Sequence, residues 1–225
     1  MKDVSIILCP CENNDSFKRV FNHIVIRTRY ELSRIEILVV DNNTDPDLKR
    51  DIAEFVQENA ELCAITYIEN NNEGRLAHAI NKAIEIANSK WLVYLSANDT
   101  YIYDPRWLQY LIGNLSDEDY EAGYRIAGTV TPWPNHLSDD KHFHVQGTVF
   151  ITFTEYMKQN PYSADYPFEI SDVMHSARCL EQGYQLKHLP RIYAHMAHVT
   201  KEWHNSNRET KQYLIAHLHG LARFP

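Results

Sequence analysis

Short apolar runs alternate with helical periodicities over residues 1–115, the pattern of a parallel sheet covered by helices. Val4-Ser5-Ile6-Ile7-Leu8 predicts a buried strand. Phe17, Val20, Phe21 and Ile24 then recur at helical spacing, with Asn14 or Asp15 available as a cap. Residues 35–40 predict a second strand, and Asp45-Pro46 opens a helix with inner positions Leu48, Ile52, Phe55 and Val56. Residues 63–68 and 91–95 predict two further strands, separated by a helix over 76–87. A helix near Pro105 carries Trp107, Leu108 and Leu111. The second half predicts strands over 124–130 and 145–153, a helix over 172–182 closed by Gly183, strand-like runs near 185–188 and 192–198, and a surface helix over 207–221. The polar stretch 131–144, with two prolines and three histidines, is long for a passive loop.

The expected fold class is α/β: a mostly parallel, Rossmann-like central sheet flanked by helices, with a smaller β/loop region on the acceptor side. No linker or repeat divides the chain, so residues 1–225 are expected to form one domain. The net charge of −8 and the lack of a dense Lys/Arg run argue against nucleic acid as a partner. No apolar run approaches the ~20 residues of a membrane helix. Met1-Lys2-Asp3 runs straight into the first strand, so no signal peptide is expected and a cytoplasmic location follows. Cys9, Cys11, Cys63 and Cys179 form no disulfide framework and no CxxC pair. Cys9 and Cys11 would share one face of an extended segment, as small buried residues or, second, as a metal or redox pair.

Ligands of open parallel sheets bind beyond the carboxyl ends of the strands. The four predicted ends carry Pro10-Cys11-Glu12-Asn13-Asn14, Asp41-Asn42-Asn43-Thr44-Asp45, Asn70-Asn71-Asn72-Glu73-Gly74-Arg75 and Ser96-Ala97-Asn98-Asp99. One such segment is usually a turn; four on one rim point to a binding site. Neither GxGxxG nor GxxxxGK[ST] is present, so phosphates would need another counter-charge, most simply a carboxylate-held divalent metal.

In order and spacing, "VSIILCPCENN", "EILVVDNNTD", "NNEGRLAHAINKAI" and "WLVYLSANDTYIYDPRWL" resemble the nucleotide-binding half of glycosyltransferase family 2, inverting enzymes of the GT-A fold. "SDVMHSARCLEQGYQL" resembles that family's acidic helix, and "LPRIYAHMAHVT" its late histidine segment, so the likeness covers roughly residues 3–200. It implies a nucleotide-sugar-binding half over 1–115, an acceptor and catalytic half over 116–200, and a helical tail over 201–225. It further implies a nucleoside diphosphate sugar donor, UDP-linked by first choice, an acceptor hydroxyl, and a Mn2+ or Mg2+ cofactor. Asp41 matches the base-reading aspartate. Pro10 and Glu12 match the loop around the base, and Asn72, Gly74 and Arg75 the loop beside the nucleotide. Arg75 would meet a phosphate or make a surface ion pair. Where the family commonly shows Asp-x-Asp, this chain reads Ser96-Ala97-Asn98-Asp99. Ser96 and Ala97 are assigned to the donor, Ser96 to a ribose hydroxyl, and Asn98 and Asp99 to the metal, with His195 or His198 as a further ligand. Gln146 and Gly147 are placed against the donor sugar, Gly147 because a glycine allows close approach.

Asp172 is the candidate general base, six residues before Arg178 and eleven before Gly183 as in the acidic motif; a helix N-cap is the competing reading, and Glu169 the alternative base. Trp133, His136, His142 and His144 are expected to line the acceptor side, with a zinc site in that loop as runner-up. The rival overall reading is a weak or inactive relative that binds nucleotide or glycan without turnover. Oligomeric state is not legible in the sequence.

Overall fold

The computed structural model describes residues 2–11, 14–43, 45–70, 76–97, 100–102, 104–132, 143–163, 171–189 and 194–196. The first half is built from β1 (Val4–Leu8), α1 (Asn14–Arg27), β2 (Ile35–Asp41), α2 (Pro46–Glu58), β3 (Ala64–Glu69), α3 (Leu76–Ile86) and β4 (Trp91–Leu95). β1 and β2 are almost wholly apolar because helices cover both faces of a parallel sheet. β3 alternates between exposed and half-buried positions, as an edge strand does. The predicted stripe of α1 is buried in full, and Phe55 of α2 meets Phe17 and Phe21 of α1 edge-on at 5.6 and 5.2 Å. Asp45 caps α2 by accepting from the N–H groups of Asp47 and Leu48, with Pro46 in the first turn.

Next come β5 (Thr100–Ile102), α4 (Trp107–Gly113), α5 (Asp117–Glu121), β6 (Tyr124–Pro132), β7 (Phe143–Phe153), α6 (Thr154–Gln159), α7 (Ser171–Glu181), β8 (Gln185–His188) and β9 (Ala194–Met196). The sheet order is β3-β2-β1-β4-β7-β6-β8, with a separate β5-β9 pair. Only β7 runs against the other six strands of the large sheet. The second half extends the main sheet, with β7 directly beside β4, while β9 leaves it to pair with β5 as a small second sheet. Gly183 ends α7 at φ +80°, a conformation that a side chain would strain.

The structure adds β5, α5 and α6 to the predicted elements. It also shortens the polar stretch: Thr131 and Pro132 end β6, and Phe143 and His144 begin β7. Residues 133–142, with Trp133, His136 and His142, and the predicted tail helix over 207–221 lie outside the described residues. All four cysteines are free; Cys9 and Cys179 are buried, Cys11 and Cys63 half-buried. No helix among the described residues is long and apolar enough to cross a membrane.

Candidate active site

The parallel order of β3, β2, β1 and β4 brings their carboxyl ends to one rim. Asp41, the last residue of β2, is fully buried there. Its Oδ1 accepts from the backbone N–H of Asn43 (2.9 Å) and from Asn43 Nδ2 (2.8 Å), and its Oδ2 from the Tyr67 hydroxyl on β3 (2.9 Å). Burial, and then Asp41, pushes the Tyr67 phenol up, so it stays a donor. Asn43 also donates to Asn14 Oδ1 (3.3 Å), and Asn14 to Asp51 Oδ2 (2.8 Å). Lys18 and Asn14 hold the Asp51 carboxyl below its ordinary range. Nearer β1, the N–H of Asn42 donates to the Pro10 carbonyl (3.0 Å), and Asn70 Nδ2 to Asn42 Oδ1 (2.7 Å). Asparagines thus stitch three strand ends together without packing like charges side by side.

The rim continues differently at β4. The N–H of Ser96 donates to the Thr148 carbonyl (2.8 Å), carrying the β4–β7 ladder one step past β4. One residue along β7, the Gly147 N–H donates to Asp172 Oδ2 (2.8 Å). Two hydrogen bonds therefore link the Ser96–Ala97 end to the acidic helix. A Cβ at Gly147 would lie 3.1–3.3 Å from Asp172 Oδ2, Cβ and Cγ, so the close approach that glycine permits here is that of Asp172. Asp172 Oδ1 accepts from the Val173 N–H (2.8 Å), and Ser176 Oγ, one turn on, from the Val145 N–H (3.0 Å). Asp172 stands inside the first turn of α7 and ties across to β7, so it is not the helix N-cap.

His144 Nε2 lies 3.9 Å from Asp172 Oδ2, and the two side chains are only 11% and 21% exposed. Burial raises the Asp172 pKa above the usual carboxyl range; His144 and the N–H groups of Gly147 and Val173 pull it back. Burial likewise lowers His144, and Asp172 opposes this. Tyr94 of β4, stacked on Phe150 (5.5 Å), and Tyr162 have phenols pushed well up by burial and by charges that include Asp172. Asn81 of α3 grips the Tyr162 backbone from both sides, at 2.8 and 2.9 Å, and His175 of α7 stacks on the Tyr162 ring (4.6 Å).

Of the predicted site residues, Pro10, Asp41, Ser96, Ala97, Gly147 and Asp172 come to this rim. Glu12, Asn72, Gly74, Arg75, Asn98, Asp99, Glu169 and His198 lie outside the described residues. Gln146 sits in β7 beside Gly147. His195 sits in β9, which pairs antiparallel with β5 so that His195 is in register with Tyr101 and Met196 with Thr100. The late histidine segment thus returns beside β5, the strand that follows Ser96–Asp99 in the chain. Among the described residues no three His, Cys, Asp or Glu cluster as a metal site. Asp104 accepts from the Arg106 N–H (2.8 Å) in the turn before α4. Sequence reasoning missed Tyr162 and Asn81, and it placed His144 in a loop where the structure has a strand.

The sequence matches glycosyl transferase family 2 over residues 5–170. No curated protein sequence matches the chain. A mannosyltransferase from Pyrobaculum calidifontis, solved with GDP-Man and Mn2+, is similar in structure: TM-score 0.77, 17% identity, covering 99% of this chain and 64% of that one. Residues 1–349 of S. aureus TarS, solved with UDP-GlcNAc, give a TM-score of 0.66 at 14% identity, covering 91% of this chain and 61% of that one. At these identities the likeness is one of fold, and the chain spans less than two thirds of either neighbour. With the family match covering well over half of the sequence, the chain belongs to glycosyl transferase family 2.

Proposed function

We propose that the protein is an inverting glycosyltransferase that moves a sugar from a nucleoside diphosphate donor to an acceptor hydroxyl, with Asp172 as general base. The observation that carries this reading is the Gly147–Asp172 hydrogen bond, which holds a carboxylate of raised pKa against the Ser96–Ala97 end of the rim. A base needs a pKa nearer the working pH than an exposed aspartate has. Asp172 takes the proton of the acceptor hydroxyl; the acceptor oxygen bonds to the anomeric carbon as the bond to the diphosphate breaks on the opposite face. Asp41 with Pro10 and Glu12 receives the base, Asn72, Gly74 and Arg75 flank the nucleotide, Ser96 meets the ribose, and Gln146 and Gly147 border the sugar. Asp99 and Asn98, with His195 or His198, would hold Mn2+ or Mg2+, which would supply positive charge to the leaving diphosphate. UDP is the preferred nucleotide. The GDP-Man and UDP-GlcNAc of the two structural neighbours make these the first donors to try.

A thermal-shift panel of UDP, GDP and dTDP, each with and without Mn2+, tests the donor half. A nucleotide at 100 times its Kd adds about 2.7 kcal/mol of stability. A Mn2+-dependent shift with one nucleotide supports the reading and names the donor class; no shift with any of them overturns it. Transfer or hydrolysis of the matching sugar nucleotide then tests the base. Asp172→Asn should lower turnover by about 10²–10⁴-fold, the usual contribution of a general base, with nucleotide affinity kept. Full turnover in that variant removes Asp172 from the role.

A further inference from the structure

The Asp172 carboxylate has a neighbour that the reaction as written does not use. His144, the second residue of β7, presents Nε2 to Asp172 Oδ2 at 3.9 Å, while its other ring nitrogen, Nδ1, is buried with no hydrogen-bond partner among the described residues. A buried N–H without an acceptor is costlier than a buried lone pair without a donor, and orphaned donors are the rarer of the two in folded proteins. The ring proton therefore belongs on Nε2, directed at the carboxylate. The β-ladder fixes the ring's origin: His144 is in register with Thr131, and the next residue, Val145, is tied to α7 through Ser176. The same helix carries Asp172, so both partners of the pair are held by one strand–helix contact.

Resting on the reading of Asp172 as base, we propose that His144 is its positioning residue: an imidazole that keeps its proton on Nε2, holds Oδ2 ionised and aimed at the acceptor hydroxyl, and sets the pH at which the base becomes active. The other described groups around Asp172 are uncharged through the neutral range. Burial raises Tyr94 on β4 and Tyr162 before α7, so each keeps its proton, and burial with Arg178 brings His175, one turn along α7, down to about 3, so it stays neutral. Gly147 and Val173 offer N–H groups whose donation does not change with pH. Within this shell His144 is the one described side chain whose protonation answers to Asp172 between acid and neutral pH.

Carbon-detected NMR titration of the full chain, with 13C in the aspartate carboxyls, tests this without any substrate. Asp172→Asn assigns the signal. In the wild type the Asp172 midpoint should lie above that of an exposed aspartate. His144→Ala removes an interaction that favours the ionised form, so the midpoint should rise by about one further unit, the low end of what a partner at this range causes. His144→Gln, which restores an N–H donor, should return part of that shift. Reciprocally, Asp172→Asn should lower the His144 midpoint, and the 15N shifts of His144 should report the Nε2–H tautomer in the wild type. A midpoint for Asp172 that is the same in wild type and His144→Ala overturns the proposal, as does an Nδ1–H tautomer. These outcomes leave the base reading intact. That reading fails separately, and takes the positioning role with it, if Asp172→Asn turns over sugar nucleotide at the wild-type rate. Where turnover is measured, the acid limb of the pH profile should move up in His144→Ala by the same amount as the NMR midpoint, with nucleotide affinity kept.

Discussion

The rim of the sheet has two parts that solve the same problem in opposite ways. At the ends of β1, β2 and β3, polar groups close on one another: Asp41 with Asn43 and Tyr67, Asn43 with Asn14, Asn14 with Asp51, Asn70 with Asn42. At the end of β4 and along β7, titratable groups are held in states that water would not favour. Asp172 and His144 are shifted toward their neutral forms, and Nδ1 of His144 and Nε2 of His175 are buried with no partner among the described residues. Closed amide networks hold a shape, whereas shifted carboxyl and imidazole groups hold a proton economy. Under the proposed function the first part is the frame for the donor and the second the place where the bond is made.

The largest effect that would break this division comes from one methyl group. Gly147→Ala puts a carbon 3.1 Å from Asp172 Oδ2 and 3.2 Å from Asp172 Cβ. Those atoms must move by a few tenths of an ångström, and the hydrogen bond from residue 147 must bend with them. Small misplacements of a reacting group are costly, up to about 100-fold in turnover. Steady-state turnover of the matching donor should fall toward that figure while the melting temperature stays near that of the wild type. Wild-type turnover in Gly147→Ala would mean that the contact does not set the base.

Second is the acid sensitivity of the β7–α7 side. Burial brings the His175 pKa down to about 3, against 6.5 for a free imidazole, with Arg178 adding to the shift. Below pH 6.5 the unfolded chain takes up a proton that the folded chain refuses. The stability is therefore intact above 6.5 and declines as the pH falls toward 3; at pH 4 the loss is of order 3 kcal/mol. Urea unfolding at pH 7 and pH 4 should show this loss in the wild type and a much smaller one in His175→Gln. Equal losses in both would move the acid-labile group elsewhere.

What the sequence disclosed follows the same division. β1 to β4 were legible because each is a short, largely apolar run that ends in a polar, Asn- or Asp-containing segment, and Asp45-Pro46 announced α2 by its cap chemistry. α5 was missed although Ser116 and Asp119 form a capping box, because Asp117–Glu121 has no apolar stripe to draw attention to it. β5 was missed because three residues acquire strand character only by pairing with β9, far along the chain. At the site, Asp172 was legible through its motif, but its bond to Gly147 spans 25 residues and no local pattern states it. The available signal was the glycine itself: within a strand made mostly of β-branched and aromatic residues, Gly147 marks a close approach. The sequence suggested an approaching sugar, and the structure shows Asp172 in contact. His144 was grouped with a loop because its histidine neighbours dominated the composition, whereas the register of β7 decides its place.

The third and smallest effect would sharpen the frame side of the comparison. Tyr67→Phe deletes one of three donors to the buried Asp41 carboxylate and leaves both bonds from Asn43. A net hydrogen bond of this kind contributes about 1 kcal/mol, so the urea midpoint should fall modestly. If Asp41 receives a nucleotide base, the hydroxyl of Tyr67 competes with that base for Oδ2, because Asp41 has no exposed surface through which to accept a further donor. Removing the competitor should then tighten nucleotide binding, by at most about fivefold if the whole 1 kcal/mol is recovered. Isothermal titration with the nucleotide identified in the thermal-shift panel reads this directly. Weaker binding in Tyr67→Phe would instead make the tyrosine part of what aims Asp41, and the frame would extend to the base contact itself.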